Sequence, residues 1–222
     1  MQERRVFALC ATVAVVAALS ACAQRASVLP AADRGAPSAV GRKSAPPPSP
    51  NLIKDGSFEK PLVAPGSYQL FSTGQTFSAW TVSSDPGNVG VVSGAFTQNG
   101  FTFPAACGQQ WLDLTGVTQT ATGVAQTIDT VPNAQYSLSF EVGNVYDPNG
   151  IFGTVSIVNV FIGTKKIIVA KNTRGHTSKQ MVWKRFTTSF TASGATSTID
   201  FLNGDPSTDT LDGLDCIDVR QL

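Results

Sequence analysis

The sequence predicts an all-β fold, an antiparallel β-sandwich of jelly-roll topology, and three observations carry that expectation. Nine short runs rich in β-branched and aromatic residues recur between Val89 and Leu222, many of them alternating apolar with polar. Clusters of Gly, Asn, Asp and Pro, such as VPNAQ, DPNG and GDPSTDTLDG, separate the runs as turns would. Only 14% of the 222 residues are charged, and no long segment after residue 51 shows a capped helical period. That balance favours an exported β protein over a helical cytosolic one.

The chain divides into three parts. Residues 1–21 read as a leader: Arg4 and Arg5 precede an uncharged run from Val6 to Leu19, shorter than the ~20 residues a membrane-spanning helix needs. The run ends in Leu19-Ser20-Ala21-Cys22, which resembles the bacterial lipobox and makes Cys22 the expected lipidation site. Two or more acyl chains on that thiol would anchor the protein stably to a membrane. Ala23 after the cysteine implies the outer membrane if the cell has one. Residues 22–50 are rich in Pro, Ala and Ser and lack aromatics, the composition of a disordered tether. Residues 51–222 form the folded domain.

Within that domain the runs are Val89–Val92, Gln110–Leu114, Gly123–Ile128, Tyr136–Val142, Thr154–Ile162, Lys165–Ala170, Trp183–Thr191, Ser197–Leu202 and Cys216–Leu222. In the fourth, Tyr136, Leu138, Phe140 and Val142 share one face, as a half-buried strand requires. The Cys-Trp-Cys framework of immunoglobulin domains is missing, which favours the jelly roll. The domain carries ten of the sixteen basic and thirteen of the fifteen acidic residues. A mildly acidic domain without a basic cluster argues against nucleic acid as a partner.

Residues able to do chemistry are few. The only histidine, His176, lies in the polar loop NTRGHTSK, and there is neither a Gly-x-Ser-x-Gly elbow nor a Cys-x-x-Cys pair. Asp113, Glu141 and Asp200 fall in or beside strands, where alternation turns Asp113 and Glu141 toward solvent. Glycosidase chemistry would need two carboxylates across a cleft. Of the cysteines expected to remain after processing, Cys107 and Cys216 allow one disulfide or two free thiols. Trp80, Trp111 and Trp183 sit inside β runs and are expected to build core or sheet face. The candidate ligand-binding residues are therefore the loop aromatics Tyr68, Phe101, Phe103, Tyr146 and Phe152, with Asp147 and Asn149 to meet hydroxyl groups.

Four stretches in order, NLIKDGSFEKP (51–61), PAACGQQWLDLTG (104–116), GVAQTIDTVPNAQYSLSFEVGN (123–144) and GLDCIDVRQL (213–222), resemble the family known as domain of unknown function 642. That family is similar to the galactose-binding-like jelly rolls that include many carbohydrate-binding modules. In those modules the Glu of the opening Gly-x-Phe-Glu and the Asp of the closing strand share a structural calcium. The resemblance thus implies Glu59 and Asp215 as calcium ligands pinning the first strand to the last, since a hard cation takes ~6–8 oxygens. Cys216 occupies a family position often held by a small residue, so a Cys107–Cys216 disulfide, tying the central block to the last strand, stands beside two free thiols as the expectation. The resulting expectation is a lipid-anchored, non-catalytic envelope protein binding a cell-wall or envelope polysaccharide. The alternative is an adhesive module for a protein partner without a sugar site.

Overall fold

Alternating apolar residues close into a sheet only when partner strands cover both their edges and one face, and the chain supplies those partners from distant segments. A computed structural model describes residues 49–222. The leader, Cys22 and nearly all of the tether lie outside the described residues. The strands are β1 (Tyr68–Ser72), β2 (Thr76–Phe77), β3 (Trp80–Ser84), β4 (Asn88–Ser93), β5 (Thr97–Gln98), β6 (Phe101–Thr102), β7 (Gln110–Asp113), β8 (Thr122–Asp129), β9 (Gln135–Asn144), β10 (Ser156–Ile162), β11 (Lys165–Asn172), β12 (Val182–Thr191), β13 (Thr196–Asn203) and β14 (Gly213–Gln221). One six-stranded sheet has the order β1-β4-β7-β14-β9-β12, and the other β11-β10-β13-β8-β3-β2; β5 and β6 form a separate ribbon. Every strand pair is antiparallel. The fold is thus the expected all-β, jelly-roll-like sandwich.

The main core lies between the sheets. Tyr136, Leu138, Phe140 and Val142 of β9 face it together with Phe71, Val89, Val91 and Leu112, against Trp80, Val124, Val160 and Phe201 of the opposite sheet. Five strands go beyond the expected nine. Three of them, β2, β5 and β6, are two residues long, too short to show a period.

A second apolar cluster matters more for function. Val92, Trp111, Phe101, Phe103, Phe152 and Leu211 are buried outside the sandwich. Val92 and Trp111 belong to the outward face of β4 and β7, because their neighbours Val91 and Leu112 point into the main core. The β5–β6 ribbon and the segments around Phe152 and Leu211 roof that face, so this part of the first sheet is covered on both sides.

The opening stretch NLIKDGSFEKP runs beside β14. The Asn51 amide donates to the Ile217 carbonyl at 3.2 Å, and its oxygen accepts from Val219 N at 2.9 Å. Gly56 crosses β14 so closely that a Cβ there would lie 2.3 Å from the Ile217 carbonyl oxygen. Gln110, at 1% exposure, then fastens the next turn. Its Nε2 donates to the Phe58 and Pro61 carbonyls at 2.7 and 3.0 Å, and its Oε1 accepts from Val63 N at 2.6 Å.

Candidate active site

Two cross-strand rows build the floor of a cup on the outward face of the first sheet. Tyr68 pairs with Val92 and Val92 with Trp111; Leu70 pairs with Gly90, Gly90 with Asp113, and Asp113 with Gly213. The register therefore sets Asp113 between two glycines on adjacent strands, Gly90 and Gly213. Phe96, Phe103, Val117 and Ile151 raise the walls around a cavity of about 310 Å³. Its rim is unusually apolar for exposed surface: Tyr68 is 50% exposed, Val117 62% and Ile151 47%. Tyr68 meets Phe96 edge-on at 5.7 Å, and Phe103 stacks on Trp111 at 6.2 Å and meets Phe152 edge-on at 5.2 Å. Trp111 is locked by its Nε1, which donates to the Phe103 carbonyl at 3.0 Å.

Asp113 is the acid of this cup. Its Oδ1 accepts from Thr115 Oγ1 at 2.7 Å, from Thr115 N at 3.0 Å and, more weakly, from Asp212 N at 3.4 Å. Oδ2 accepts none of these. Desolvation by the surrounding protein pushes the carboxyl up to about 6, against the hydrogen bonds from Thr115, which favour the anion. The alternation argument turned Asp113 to solvent. It does face outward, but segments remote in sequence roof that face, and the outcome is a carboxyl in an aromatic cup.

Of the other sequence candidates, Tyr68, Phe103 and Phe152 line the cup. Phe101 packs behind Phe152 at 5.4 Å, with Lys179 Nζ 4.3 Å above its ring. Tyr146 lies apart, its ring centroid 4.0 Å from that of His176. Asp147 bonds across its own loop to Gly153, and Asn149 is exposed in the same loop. Glu141 pairs with Arg185 across β9 and β12, while Asp200, on the other sheet, accepts from Ser83 Oγ at 2.9 Å. These carboxylates do not converge with Asp113. Sequence reading missed Gly90, Gly213 and Val117; the two glycines showed only as the glycine content of NVGVV and DGLD, and Val117 gave no signal.

Glu59 and Asp215 flank one loop, residues 106–110. Glu59 Oε1 accepts from Gln109 N at 2.9 Å and Gln110 N at 3.0 Å; Asp215 Oδ2 accepts from Ala106 N at 2.9 Å and Cys107 N at 2.8 Å. Asp215 Oδ1 takes Cys216 N at 2.7 Å. Burial, with Glu59 nearby adding to it, pushes Asp215 up to about 7 against those amides. Cys107 and Cys216 are joined by a disulfide with Cα atoms 5.5 Å apart. The pinning of the opening segment to the last strand thus runs through amide hydrogen bonds and a covalent link. Around Glu59 Oε1 and both Asp215 oxygens the neighbours are N–H donors, a donor set that holds carboxylates and does not suit a calcium shell.

A family model described as HpiC1-like, HpiC1 cyclase, matches residues 49–202. This chain belongs to the HpiC1-like family. Among solved structures, the HpiC1-like chain is similar to the Stig cyclase Fisc from Fischerella sp. TAU, in complex with (3Z)-3-(1-methyl-2-pyrrolidinylidene)-3H-indole. The two are 19% identical with a TM-score of 0.54, covering 78% of this chain and 98% of that one. A cyclase from the same organism, in complex with 4-(1H-indol-3-yl)butan-2-one, is 18% identical with a TM-score of 0.53, covering 77% and 96%. A xylan-binding domain from Paenibacillus barcinonensis is more distant, at 16% identity and a TM-score of 0.42, covering 72% and 97%. No curated protein sequence matches this chain.

These findings correct three expectations. The four ordered stretches belong to an HpiC1-like chain and not to domain of unknown function 642. The expected non-catalytic polysaccharide-binding module gives way to a member of a cyclase family. The expectation that the domain is not an enzyme falls with it.

Proposed function

We propose that this protein is a cyclase that takes an apolar, aromatic small molecule into the Asp113 cup and uses Asp113 to move a proton during ring closure. The observation that carries the reading is the placement of one carboxyl, with an uncommitted Oδ2, on the floor of an aromatic cavity of about 310 Å³. A cavity of this size sits at the lower end of the ~300–1,000 Å³ usual for small-molecule sites. Ligands of the indole class, bound by the Fischerella cyclases, suit its walls: flat, apolar and able to stack on Trp111 and Phe103.

Ring closure of an electron-rich aromatic begins when an acid adds a proton to the substrate and creates a cation. Asp113 in its protonated form supplies that proton through Oδ2 and becomes the carboxylate held by Thr115. The aromatic faces of Phe96, Phe103 and Trp111 stabilise the cation, and the apolar walls exclude water that would trap it. A new carbon–carbon bond forms, a proton leaves the cyclised cation, and Asp113 recovers it. The net change is an isomerisation, with no oxidant or reductant consumed. We further read the protein as exported and held to the envelope through Cys22. The leader-like residues 1–22 and a disulfide, characteristic of oxidising compartments, support that reading.

Titration of the protein with 4-(1H-indol-3-yl)butan-2-one, followed by tryptophan fluorescence and calorimetry, tests the site. One-to-one binding that quenches Trp111 and is lost in Trp111→Ala, with the fold intact by circular dichroism, is the expected result. Binding unaffected by Trp111→Ala, or no binding of any indole, would overturn the assignment.

A further inference from the structure

The domain's charge count, ten basic against thirteen acidic residues, averages two unlike regions. No Asp or Glu occurs between Asp147 and Asp200, and within that stretch the residues from Lys165 to Arg185 hold seven of the ten basic side chains. The sequence therefore does carry a basic cluster, which the net charge concealed. The fold keeps it together. β11 and β12 are outermost strands of the two sheets, and they run side by side. Lys184 Nζ donates to the Lys171 carbonyl at 2.9 Å, and Asn172 Nδ2 donates to the Val142 and Val182 carbonyls at 2.7 and 2.8 Å. One side of the sandwich is thus a cationic strip, and all its cations except Lys184 are exposed.

Little within the domain neutralises these charges. The direct ion pair among the described residues lies elsewhere, between Arg220 and Asp218 on β14. Glu141 sits opposite Arg185 in register and feels both Arg185 and Arg174, but Arg185 gives its Nη2 to Ser139 Oγ at 2.8 Å. Three ammonium groups rest on ring faces: Lys166 on Phe161, Lys179 on Phe101 and Lys184 on Phe186, at 5.3, 4.3 and 4.6 Å from the centroids. A ring face holds an ammonium without cancelling its charge. Lysines on edge strands also keep sheets from pairing edge to edge. That role needs neither Arg174 and Lys179, which lie between β11 and β12, nor the exclusion of acids.

We propose that this strip docks on the anionic lipid headgroups of the membrane that holds the chain's N-terminus. The chain joins the fold beside it: Ser49 Oγ donates to the Gln221 carbonyl at 2.6 Å, and Arg220 Nη1 to the Ser49 carbonyl at 2.8 Å. Gln221 pairs with Tyr136 of β9, and Tyr136 with Phe190 of β12, so that junction lies two strand spacings, about 10 Å, from β12. Lys165 lines a groove with Gln135 and Thr191 at the same end. The segment leading there, residues 23–48, carries Arg25, Arg34, Arg42 and Lys43 against Asp33 alone. Segment and strip therefore offer one sign of charge to one surface. Val169, 55% exposed, stands between Lys166 and Lys171 and gives the strip an apolar tip. Nucleic-acid phosphates would match the charge equally, but the disulfide is characteristic of an oxidising compartment, where the lipid surface carries the phosphates. The cup stands on β1, β4 and β7, toward the opposite edge of the first sheet, so docking through β12 leaves it open. The proposal rests on the envelope reading and not on the cyclase chemistry.

Amine labelling of the full chain, read lysine by lysine by mass spectrometry, tests this with vesicles of phosphatidylcholine alone or mixed with phosphatidylglycerol. Both compositions accept the apolar leader, so the comparison isolates charge. Phosphatidylglycerol should slow labelling of Lys165, Lys166 and Lys171 about fivefold, the weight of one lysine at an anionic surface. Lys54 and Lys60 should label unchanged, and the effect should vanish in about 1 M salt, where the Debye length falls to ~3 Å. Glutamine at Lys165, Lys166 and Lys171 together should weaken sedimentation with the phosphatidylglycerol vesicles at least about tenfold, with the fold unchanged by circular dichroism. Equal labelling in the two vesicle sets, or protection of Lys54 and Lys60 in place of the strip, would overturn the proposal. Protection by duplex DNA with none by phosphatidylglycerol would overturn it too and assign the strip to nucleic acid. The mass of the Cys22 peptide from a membrane fraction reports on the anchor separately, so a missing acyl group and a silent strip are told apart.

Discussion

Replacing Gln110 by alanine should cost as much stability as replacing a core leucine, about 2–5 kcal/mol, although glutamine is a polar residue. Its side chain is 1% exposed and makes three hydrogen bonds of 2.6 to 3.0 Å to backbone groups of residues 58–63. In the variant, two carbonyls and one N–H lose their partner in a site that excludes water. Each such loss costs about 1–3 kcal/mol, and partial relaxation of the turn should bring the total to roughly 4 kcal/mol, allowing for shared strain between neighbours. With a slope of about 2 kcal/mol per molar urea, the unfolding midpoint should move down by about 2 M at unchanged slope. Gln110→Glu is the sharper variant. It keeps an acceptor for Val63 N but points a carboxylate at the Phe58 and Pro61 carbonyls, so its folded pKa should be raised. A raised folded pKa means the folded state holds the proton more tightly, so this variant should regain stability as pH falls and lose it as pH rises. A loss under 1 kcal/mol in Gln110→Ala, or a Gln110→Glu midpoint independent of pH, would refute the claim that this amide fastens the opening segment.

Three further perturbations test other joints. Gly108→Ala should destabilise by about 1–3 kcal/mol, because Gly108 has φ +66° and a Cβ there would lie 2.3 Å from Glu59 Oε1; urea unfolding measures it. Serine at both Cys107 and Cys216 opens a loop of 109 residues, for which chain entropy alone gives about 4.7 kcal/mol. The amides on Glu59 and Asp215 still hold the same loop, so calorimetry should show a loss nearer 2–4 kcal/mol. Gly90→Ala should preserve the fold, since a Cβ at this position meets only ordinary contacts, Leu70 Cδ2 at 3.5 Å first. It should weaken indole binding at least about tenfold by filling the floor of the cup, an effect of ~1.4 kcal/mol.

The sandwich was legible because its long strands state their own period: in β9 the residues Tyr136 to Val142 alternate so regularly that the core face follows from the sequence. The β5–β6 ribbon has no such signature. Its two-residue strands sit where Phe103 stacks on Trp111 and Phe101 packs on Phe152, contacts that the tertiary fold sets. The candidate site divides along the same line. Aromatics flanking turns, such as Tyr68, Phe103 and Phe152, stand out in a sequence. What brings them around Asp113 is the cross-strand register that places Gly90 and Gly213 on either side of it. Alternation says which face a residue takes; it does not say what roofs that face. Glu59 was expected to meet the last strand; the partners it has, the backbone amides of residues 109 and 110, carry no sequence identity.

The central claim is that Asp113 delivers a proton to an aromatic ligand in the cup. The most direct measurement is solvent-deuterium exchange into the carbon-bound ring hydrogens of 4-(1H-indol-3-yl)butan-2-one, for the wild-type chain and Asp113→Asn, each saturated with ligand. Wild type should exchange well above the buffer rate, while Asp113→Asn binds the ligand with similar affinity and exchanges at the buffer rate. Equal exchange in the two proteins, with ligand bound to both, would contradict the account.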